Sequence, residues 1–360
     1  MKDQSTMHVG LTPEHPNLLI TSVGRRSYLV SWFKEALAGT GEVHVCNSHS
    51  MTPAFQVADH AVVSPLIYSE DYIPFLLDYC ERNAIGALLP LFDVDLPVLA
   101  AHAEEFKAIG CFPVVASERM AHICNDKLLT VKFLAELGLP TLRTYTSLEE
   151  CQSALDAHEL SCPVVIKPRW GMGSIGVFVC EHPDDLPLLY RYTNRRIEGS
   201  YLRYESAEDN VHEILIQEAA PGQEWGMDIM NDLEGNLAGV SVRKKIAMRS
   251  GETDVAEVVA TPPELYGLAK RISEVSHHPG NMDVDVFVEQ DDDGTITNLR
   301  VLEMNVRFGG GYPFSHAAGV NLPAALVAWL KGGSADNVPL APKRLGFYQK
   351  DISIISLPGC

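Results

Sequence analysis

Short apolar runs alternate with amphipathic patterns over the first 115 residues. The apolar runs predict strands at 17–22, 43–46, 61–63, 87–89 and 113–115. The amphipathic patterns predict helices at 27–37, 71–82 and 95–106. Strands that alternate with helices are typical of right-handed βαβ units, which build a parallel sheet. We therefore predict a tail at 1–16 and an open parallel α/β domain at 17–116.

The pattern changes at about residue 117 and predicts a region of the α+β class. Helices are predicted at 118–123, 127–137 and 262–276, and strands at 163–168, 177–180, 214–218, 224–230, 238–245, 282–289 and 299–305. The turn sequences at 231–236 and 291–294 favour antiparallel neighbours. The expected division is one subdomain at 117–222, a second at 223–335 and a C-terminal tail at 336–360.

Composition and charge exclude several classes of protein. The mean hydropathy is +0.01, and 46% of residues are hydrophobic and 21% charged, the balance of a folded chain. With 28 Lys and Arg against 47 Asp and Glu, the net charge of −19 provides no field for holding nucleic acid. No apolar run reaches about 18 residues and no signal-peptide pattern opens the chain, so we expect no membrane partner. The eight cysteines stand singly, which favours reduced thiols and a cytoplasmic location.

The last long predicted strand carries the strongest chemical pattern. Its side chains alternate between two faces. The polar face holds Glu303, Asn305 and Arg307, and the apolar face holds Leu302, Met304 and Val306. Asp283 and Asp285 share a face of the expected partner strand. Oxygen ligands from Asp285, Glu303 and Asn305 suit Mg²⁺, and Arg307 would face the same phosphates. The alternative is a solvated strand face whose charges only keep it soluble.

A glycine-rich loop follows the strand that ends with Lys167. It contains Gly171, Gly173, Ser174 and Gly176. Glycines let backbone N–H groups approach phosphate oxygens, although this is neither a P-loop nor a dinucleotide-binding fingerprint. Lys127 and Lys167 could supply positive charge to a polyphosphate. An ordinary flexible hairpin with solvated lysines is the alternative.

A strand, a Pro-Gly turn and a second strand occupy residues 217–224. The exposed backbone edge of this hinge could pair with an adenine ring, and Glu224 could accept hydrogen bonds from ribose hydroxyls. A plain β-turn with surface glutamates is the alternative.

The order of these elements resembles the ATP-grasp superfamily and, within it, the carbamoyl-phosphate-synthase-like group of stand-alone ligases. The resemblance covers about residues 17 to 335. The matching motifs stand at 21–26, 90–96, 125–127, 165–168 and 302–307.

The resemblance implies a fold and a set of site residues. ATP would lie between two α+β subdomains under the glycine hairpin as a lid, behind an N-terminal pre-ATP-grasp domain. The implied nucleotide-binding residues are Lys127, Lys167, Gly171, Gly173, Ser174, Gly176, Glu218, Ala219, Ala220 and Glu224. Asp285, Glu303 and Asn305 would bind Mg²⁺, with Mn²⁺ as the alternative ion, and Asp283 competes with Asp285 for this role. Arg307, Lys167 and Glu303 are the implied catalytic residues.

The resemblance also implies a reaction, an ATP-dependent carboxylate–amine ligation. A carboxylate would attack the γ-phosphate of ATP, and an amine would then attack the acyl phosphate, giving an amide or peptide bond, ADP and phosphate. The expected partners are small-molecule carboxylates and amines, amino acids or a small metabolite, and a second copy of the chain, since relatives are commonly dimers. Alternatives are a kinase-like or carboxylation reaction through the acyl phosphate and a regulatory ATP-binding protein without turnover.

Candidate substrate contacts lie on loops around the expected cleft. The candidates are Asp93 and Asp95 after a strand of the first domain, Arg243, Lys245 and Arg249 near a strand end, and Gly310, Gly311 and His316 after the magnesium strand. Ligands of open α/β sheets bind at the carboxyl ends of the strands. Gly24, Arg25 and Arg26 at a helix start could hold an anion. For each candidate, a solvated charge or structural pair is the alternative.

Overall fold

The N-terminal domain is built on a parallel sheet of five strands. The computed structural model describes residues 16–207 and 209–357. The strands are β1 (Asn17–Thr21), β2 (Val43–Asn47), β3 (His60–Val63), β4 (Ile85–Pro90) and β5 (Phe112–Pro113), in the order β3-β2-β1-β4-β5. The helices are α1 (Ser27–Leu37), α2 (Tyr72–Arg82), α3 (Asp95–Ala101) and α4 (Ala103–Ala108). The helix predicted at 95–106 is therefore two helices that meet at His102.

Helices on both faces cover this sheet, which explains its continuous apolar strands. All six residues of β4 are buried. Leu18 and Ile20 face one core, which includes α1, while Leu19 faces the core that includes α2.

A smaller antiparallel sheet forms the second region. Its elements are α5 (Glu118–Asn125), α6 (Lys127–Glu136), β6 (Thr144–Tyr145), α7 (Leu148–Asp156), β7 (Val164–Pro168), β8 (Phe178–Cys180), α8 (Leu186–Glu198), α9 (Leu202–Ser206) and β9 (Ile214–Glu218). The strand order is β6-β9-β7-β8. Helices α8 and α9 lie in a part of the chain where the sequence predicted no helix. Ile197 and Leu202 explain the difference, because both are buried against the small sheet.

A six-stranded antiparallel sheet forms the third region. Its elements are β10 (Gln223–Asn231), β11 (Leu237–Arg249), β12 (Glu252–Val259), α10 (Pro263–Ser276), β13 (Gly280–Gln290), β14 (Ile296–Asn305), α11 (Tyr312–Ala317), α12 (Leu322–Leu330) and β15 (Gly346–Gln349). The strand order is β14-β13-β10-β11-β12-β15. The sequence missed β12, and it placed β15 in a tail. The turns at 231–236 and 291–294 join antiparallel strands, as predicted.

The two faces of the large sheet differ in polarity. One face carries buried apolar side chains, among them Trp225, Met227, Val284 and Met304, that pack with the helices. A β-bulge in β14 pairs Glu303 with Asp285 but Val301 with Val286. The bulge makes Val301 rather than Leu302 the core residue beside Met304, so the predicted apolar face is wrong at Leu302. The opposite face of the sheet carries the candidate site.

Among the helices within residues 16–207 and 209–357, none combines the length and the hydropathy that crossing a bilayer requires.

Candidate active site

Carboxylates from β13 and β14 stand directly opposite one another on the polar face of the large sheet. Asp285 pairs with Glu303, and Asp283 pairs with Asn305. The side-chain amide of Asn305 donates to the Glu303 carboxylate at 3.4 Å. The strand alternation read from the sequence therefore brings the three predicted magnesium ligands, Asp285, Glu303 and Asn305, onto one face.

Lys167 reaches this face from the end of β7 and is nearly fully buried. Its Nζ donates to Gln217 Oε1 on the neighbouring strand β9 at 2.7 Å. Burial and the nearby charge of Lys127 lower the pKa of Lys167 to about 8. Burial opposes the ionisation of Glu303, but the lysines, with Lys245 and Arg307, hold the pKa of Glu303 below its usual value. Two lysines and the metal-ligand candidates are thus close enough to act on one another.

A buried ion pair positions Lys127 at the start of α6. Asp126 caps this helix by accepting from the backbone N–H groups of Leu128 and Leu129. The guanidinium of Arg169, two residues after Lys167, donates to both carboxylate oxygens of Asp126. The Asn-Asp-Lys motif and the strand that carries Lys167 are locked together by this contact, which the sequence did not reveal.

The glycine loop joins β7 to β8, which pair as an antiparallel hairpin. Its glycines have left-handed φ angles: +109° at Gly171, +66° at Gly173 and +72° at Gly176. A Cβ at Gly171 would lie 2.3 Å from Leu202, so side-chain packing also requires glycine there. Lys127 Nζ donates to the Gly171 carbonyl oxygen. The loop therefore lies over the lysine end of the site.

Lys245 on β11 forms ion pairs with two carboxylates, one on β10 and one on β13. Its Nζ lies 2.7 Å from Asp285 and also contacts Glu224, the predicted ribose ligand. Burial and the like charges of Asp283, Glu303 and Glu224 raise the pKa of Asp285 to about 7, although Lys245 opposes the shift. This mutual repulsion of oxygen ligands is the electrostatic condition that a divalent cation relieves.

Arg243 lies in a separate, fully buried ion cluster. Its guanidinium donates to Asp228 and Asp283, both at 2.6 Å. A Cβ at Gly309 would overlap Asp283, and one at Gly311 would overlap the Arg243 guanidinium. Arg243 and Gly311 thus hold the strand ends together, in place of the substrate contacts expected from the sequence. Asp283 pairs with Arg243 and Asp285 pairs with Lys245, so the choice of Asp285 as the metal ligand stays a prediction.

Arg307 connects the large sheet with the N-terminal domain. It lies two residues beyond the end of β14 and is buried. Its Nη2 donates to Asp93 at 2.9 Å, and its Nη1 lies 3.8 Å from Asp283. Nε of Arg307 has no hydrogen-bond partner within residues 16–207 and 209–357. Asp93 therefore lies beside Arg307 and is paired with it, and its contact with a substrate stays a prediction.

In the hinge between β9 and β10, some backbone N–H groups already donate hydrogen bonds within the chain. The N–H of Glu218 donates to Arg143, and the N–H of Ala219 donates to Pro163. The Glu218 carboxylate accepts from Arg300 at 3.1 Å. The predicted Ala219 donor is therefore already used, which leaves Ala220 as the better backbone donor for a nucleobase.

Arg26, at the start of α1, lies next to the Arg307 end of the site. Tyr28, Arg307, Asp93 and Glu252 are close enough for their charges to act on it. Burial lowers the pKa of Arg26. The sequence noted Arg26 as an anion-binding candidate but missed Glu252, because it did not predict β12.

The remaining substrate candidates have other surroundings. Asp95 is fully buried and accepts from the hydroxyl groups of Thr21, Ser22 and Tyr72, which gives it a structural role in the N-terminal domain and corrects the predicted substrate contact. Arg249 is exposed, 3.7 Å from Asp254. His316 stacks on Trp32 with ring centroids 3.8 Å apart. Gly310 lies beside Glu252.

Two surface cavities, of about 460 and 640 Å³, lie elsewhere on the molecule. Neither is lined by a predicted site residue. The site is therefore defined by its converging charged groups and not by these cavities.

Comparison with protein families gives two matches along the chain. Residues 18–115 match the PylC-like N-terminal domain. Residues 210–348 match the ATP-grasp domain of the biosynthetic pathway with the Ter operon. The chain therefore contains a region that matches an ATP-grasp family model. The resemblance seen in the sequence is thereby confirmed at the level of the superfamily.

Solved ATP-grasp structures share the fold at low sequence identity. The L-amino acid ligase of Bacillus licheniformis is 20% identical with a TM-score of 0.69, over 94% of this chain and 82% of that one. N5-carboxyaminoimidazole synthetase of Staphylococcus aureus is 13% identical with a TM-score of 0.66, over 91% and 80%. A third structure is the biotin carboxylase domain dimer of Hydrogenobacter thermophilus 2-oxoglutarate carboxylase, in complex with MgADP, ADP and bicarbonate. It is 17% identical with a TM-score of 0.68, over 88% of this chain and 70% of that one.

Proposed function

We propose that this ATP-grasp protein is an ATP-dependent carboxylate–amine ligase that works through an acyl phosphate and releases ADP and phosphate. The observation that carries the proposal is one arrangement of charge. Two lysines, a glycine loop, three oxygen ligands and Arg307 meet on one face of the large sheet. A solvated strand face, the alternative at the sequence level, would not bury Lys167 and Asp285 together.

The nucleotide would be held by groups from both ATP-grasp subdomains. Lys127, Lys167 and the loop at 171–176 would bind the phosphates, with Ala220 at the adenine edge and Glu224 at the ribose. Asp285, Glu303 and Asn305 would hold Mg²⁺, which neutralises phosphate charge when bound; the repelling carboxylates of this donor set fit a hard cation. Closure of the loop as a lid would exclude water from the acyl phosphate.

The acceptor would be an anionic substrate placed against the N-terminal domain. Arg26 is partly exposed, and the charge of Arg307 acts on it. A carboxylate between these arginines would be held by charge-assisted hydrogen bonds near the transferring phosphoryl group. Glu252, which pairs with Lys350 at 3.0 Å, is a nearby carboxylate that an ammonium group would approach. The arrangement favours amino acids or a small metabolite that carries both charges.

The test is ADP release from Mg-ATP with a panel of carboxylates and hydroxylamine as a small amine. Carboxylate-dependent ADP release with formation of a hydroxamate is expected, because hydroxylamine traps the acyl phosphate. Release of AMP would contradict the proposal in favour of adenylation. ADP release that requires bicarbonate would favour a carboxylase. Tight ATP binding without ADP release for any acid would favour the regulatory alternative.

Two variants connect this assay to the site. Glu303→Gln is expected to abolish turnover with an unchanged circular dichroism spectrum, because it removes a charge without changing side-chain shape. Arg26→Gln is expected to raise KM for the carboxylate at least tenfold, about the loss of one charge-assisted hydrogen bond, with KM for ATP unchanged. Near-normal turnover of the Glu303 variant would contradict the proposed mechanism.

A further inference from the structure

Three metal-ligating side chains converge in the N-terminal domain, away from the ATP-grasp sheet. They belong to Glu42, His44 and His60, and one ligand atom of each lies within 4.8 Å of the other two. His44 on β2 and His60 on β3 are register partners on adjacent parallel strands. The two histidines are 16 positions apart in the sequence, so they form no zinc-binding motif of closely spaced ligands. The sheet alone places them together.

The distances between these ligand atoms lie on either side of the value expected for two ligands of one metal ion. Glu42 Oε2 lies 3.1 Å from His60 Nε2 and 3.8 Å from His44 Nε2. Two ligand atoms on one tetrahedral Zn²⁺ are about 3.4 Å apart, given bonds of about 2.0–2.1 Å. The His44 and His60 rings stack with centroids 4.4 Å apart. Because His60 is half-exposed, a small rotation of its ring would bring its Nε2 lone pair toward the other two atoms.

His44 supplies the observation that points to a ligand. It is 2% exposed, and its buried Nε2 has no hydrogen-bond partner among the residues that the structure describes. Its Nδ1 lies 2.9 Å from the Tyr79 hydroxyl. Metal-bound histidines commonly donate their other ring N–H to an oxygen, which fixes the tautomer and aims the free lone pair. Tyr79 provides such an oxygen here.

Asp59 is the other carboxylate close to this cluster. It is not available as a further ligand, because it pairs with Lys34 at 2.7 Å and accepts from the backbone N–H of Val43.

We propose that Glu42, His44 and His60 form a Zn²⁺ site on the N-terminal domain, with Tyr79 as the outer hydrogen-bond partner of His44. Two imidazoles and one carboxylate leave a fourth position for water, a known zinc coordination. The ion would fasten the edge strand β3 to β2. This proposal does not depend on the proposed ligase function, and no step of that function uses it.

The test is titration of the full, chelator-treated chain with ZnCl₂ by calorimetry, in millimolar MgCl₂ so that the acidic residues of the ATP-grasp sheet are occupied. We expect one Zn²⁺ per chain and a thermal midpoint that rises with zinc. His60→Gln and Glu42→Gln should each weaken binding at least a hundredfold and remove the thermal shift. Tyr79→Phe should weaken it about tenfold, as loss of an outer partner does.

The matched control is His102→Gln, which removes another exposed histidine of the same domain that pairs with a glutamate, Glu105, at 2.6 Å. Its zinc affinity should equal that of the unmodified chain. Glu42, His60 and His102 are exposed, so their variants should fold. An unchanged rise of the thermal midpoint with Mg-ATP would verify that each variant is folded. Zinc binding that is absent, or unchanged by His60→Gln, would overturn the proposal. X-ray absorption showing fewer than two imidazole ligands would also overturn it.

Discussion

At the scale of single residues, burial gives Lys167 a pKa that differs from that of an exposed lysine. An exposed lysine stays protonated far above neutral pH, whereas burial and Lys127 lower the pKa of Lys167 to about 8. Only the cationic form attracts phosphate. The amide of Gln217, which accepts from Nζ at 2.7 Å, orients the ammonium group without neutralising it.

We therefore expect kcat/KM for ATP to fall as the pH rises through about 8, because the lowered pKa removes the lysine proton in that window. This parameter reports the free enzyme. Gln217→Glu would place a carboxylate beside Nζ, raise the pKa of Lys167 and shift the alkaline limb upward by about one unit or more. The same isosteric change at Gln152 on α7 should leave the limb in place. A limb that does not move in Gln217→Glu would assign it to another group.

The role of a charged residue also depends on its partners. Arg243 and Lys245 are two residues apart on β11 and share a face, so the sequence treats them alike. Arg243 is committed to Asp228 and Asp283, while Lys245 contacts Asp285 and Glu224. The two residues therefore differ in role because their ion-pair partners on other strands differ: Arg243 is structural, whereas Lys245 lies at the candidate metal site.

At the scale of elements, the glycine hairpin combines a requirement of backbone conformation with one of packing. Gly171 must lack a side chain because of Leu202, whereas a Cβ at Gly173 would meet nothing within 4 Å. Gly173 is thus constrained by its φ of +66° alone. This position lets the conformation of the loop be tested without a steric change.

We expect Gly173→Ala to raise KM for ATP severalfold, since alanine disfavours the left-handed conformation by about 1 kcal/mol and so shifts the loop away from the phosphates. Gly294→Ala is the matched control: its φ is +85°, its Cβ site is equally open, and it lies in a turn at the far end of β13. Urea denaturation should show similar losses of stability for both variants. Equal KM values for ATP would contradict a phosphate-binding role of the loop.

At the scale of the whole molecule, one ion pair joins the N-terminal domain to the ATP-grasp sheet. Asp93 follows β4, and Arg307 follows β14, 214 residues later. The pair places the N-terminal domain, with Arg26, against the residues proposed to transfer phosphate. The relative position of the domains is therefore part of the site.

We expect Asp93→Asn to lower kcat at least tenfold, because Arg307 loses its 2.9 Å carboxylate partner and its fixed orientation. Breaking a buried pair should also lower the free energy of unfolding by about 3 kcal/mol. Asp95→Asn is the control, since Asp95 is equally buried but contacts only hydroxyl groups of the N-terminal domain. It should lose stability while kcat stays within twofold. Equal kcat values for the two variants would contradict the positioning role of Asp93.

The sequence predicted the fold class because local patterns carry it. Period-two alternation in β13 and β14 and the continuous apolar runs of β1 and β4 are set by the face that each residue buries. It missed β12 and the helices α8 and α9, whose apolar positions are too sparse to stand out without their packing partners. The bulge at Leu302 was also invisible, since it arises from pairing with β13.

The sequence by itself determined the order of the motifs, the polar strand face that carries Glu303 and Asn305, and the glycine-rich loop, because spacing along one chain is enough for each. Only the tertiary structure decided which ions pair. It committed Asp283 to Arg243, buried Asp95 among hydroxyl groups, joined Asp93 to Arg307 and brought His44 beside His60. These outcomes depend on which strands become neighbours. Electrostatic energy depends on distance and burial in the folded structure, and the separation of two residues along the sequence predicts neither quantity.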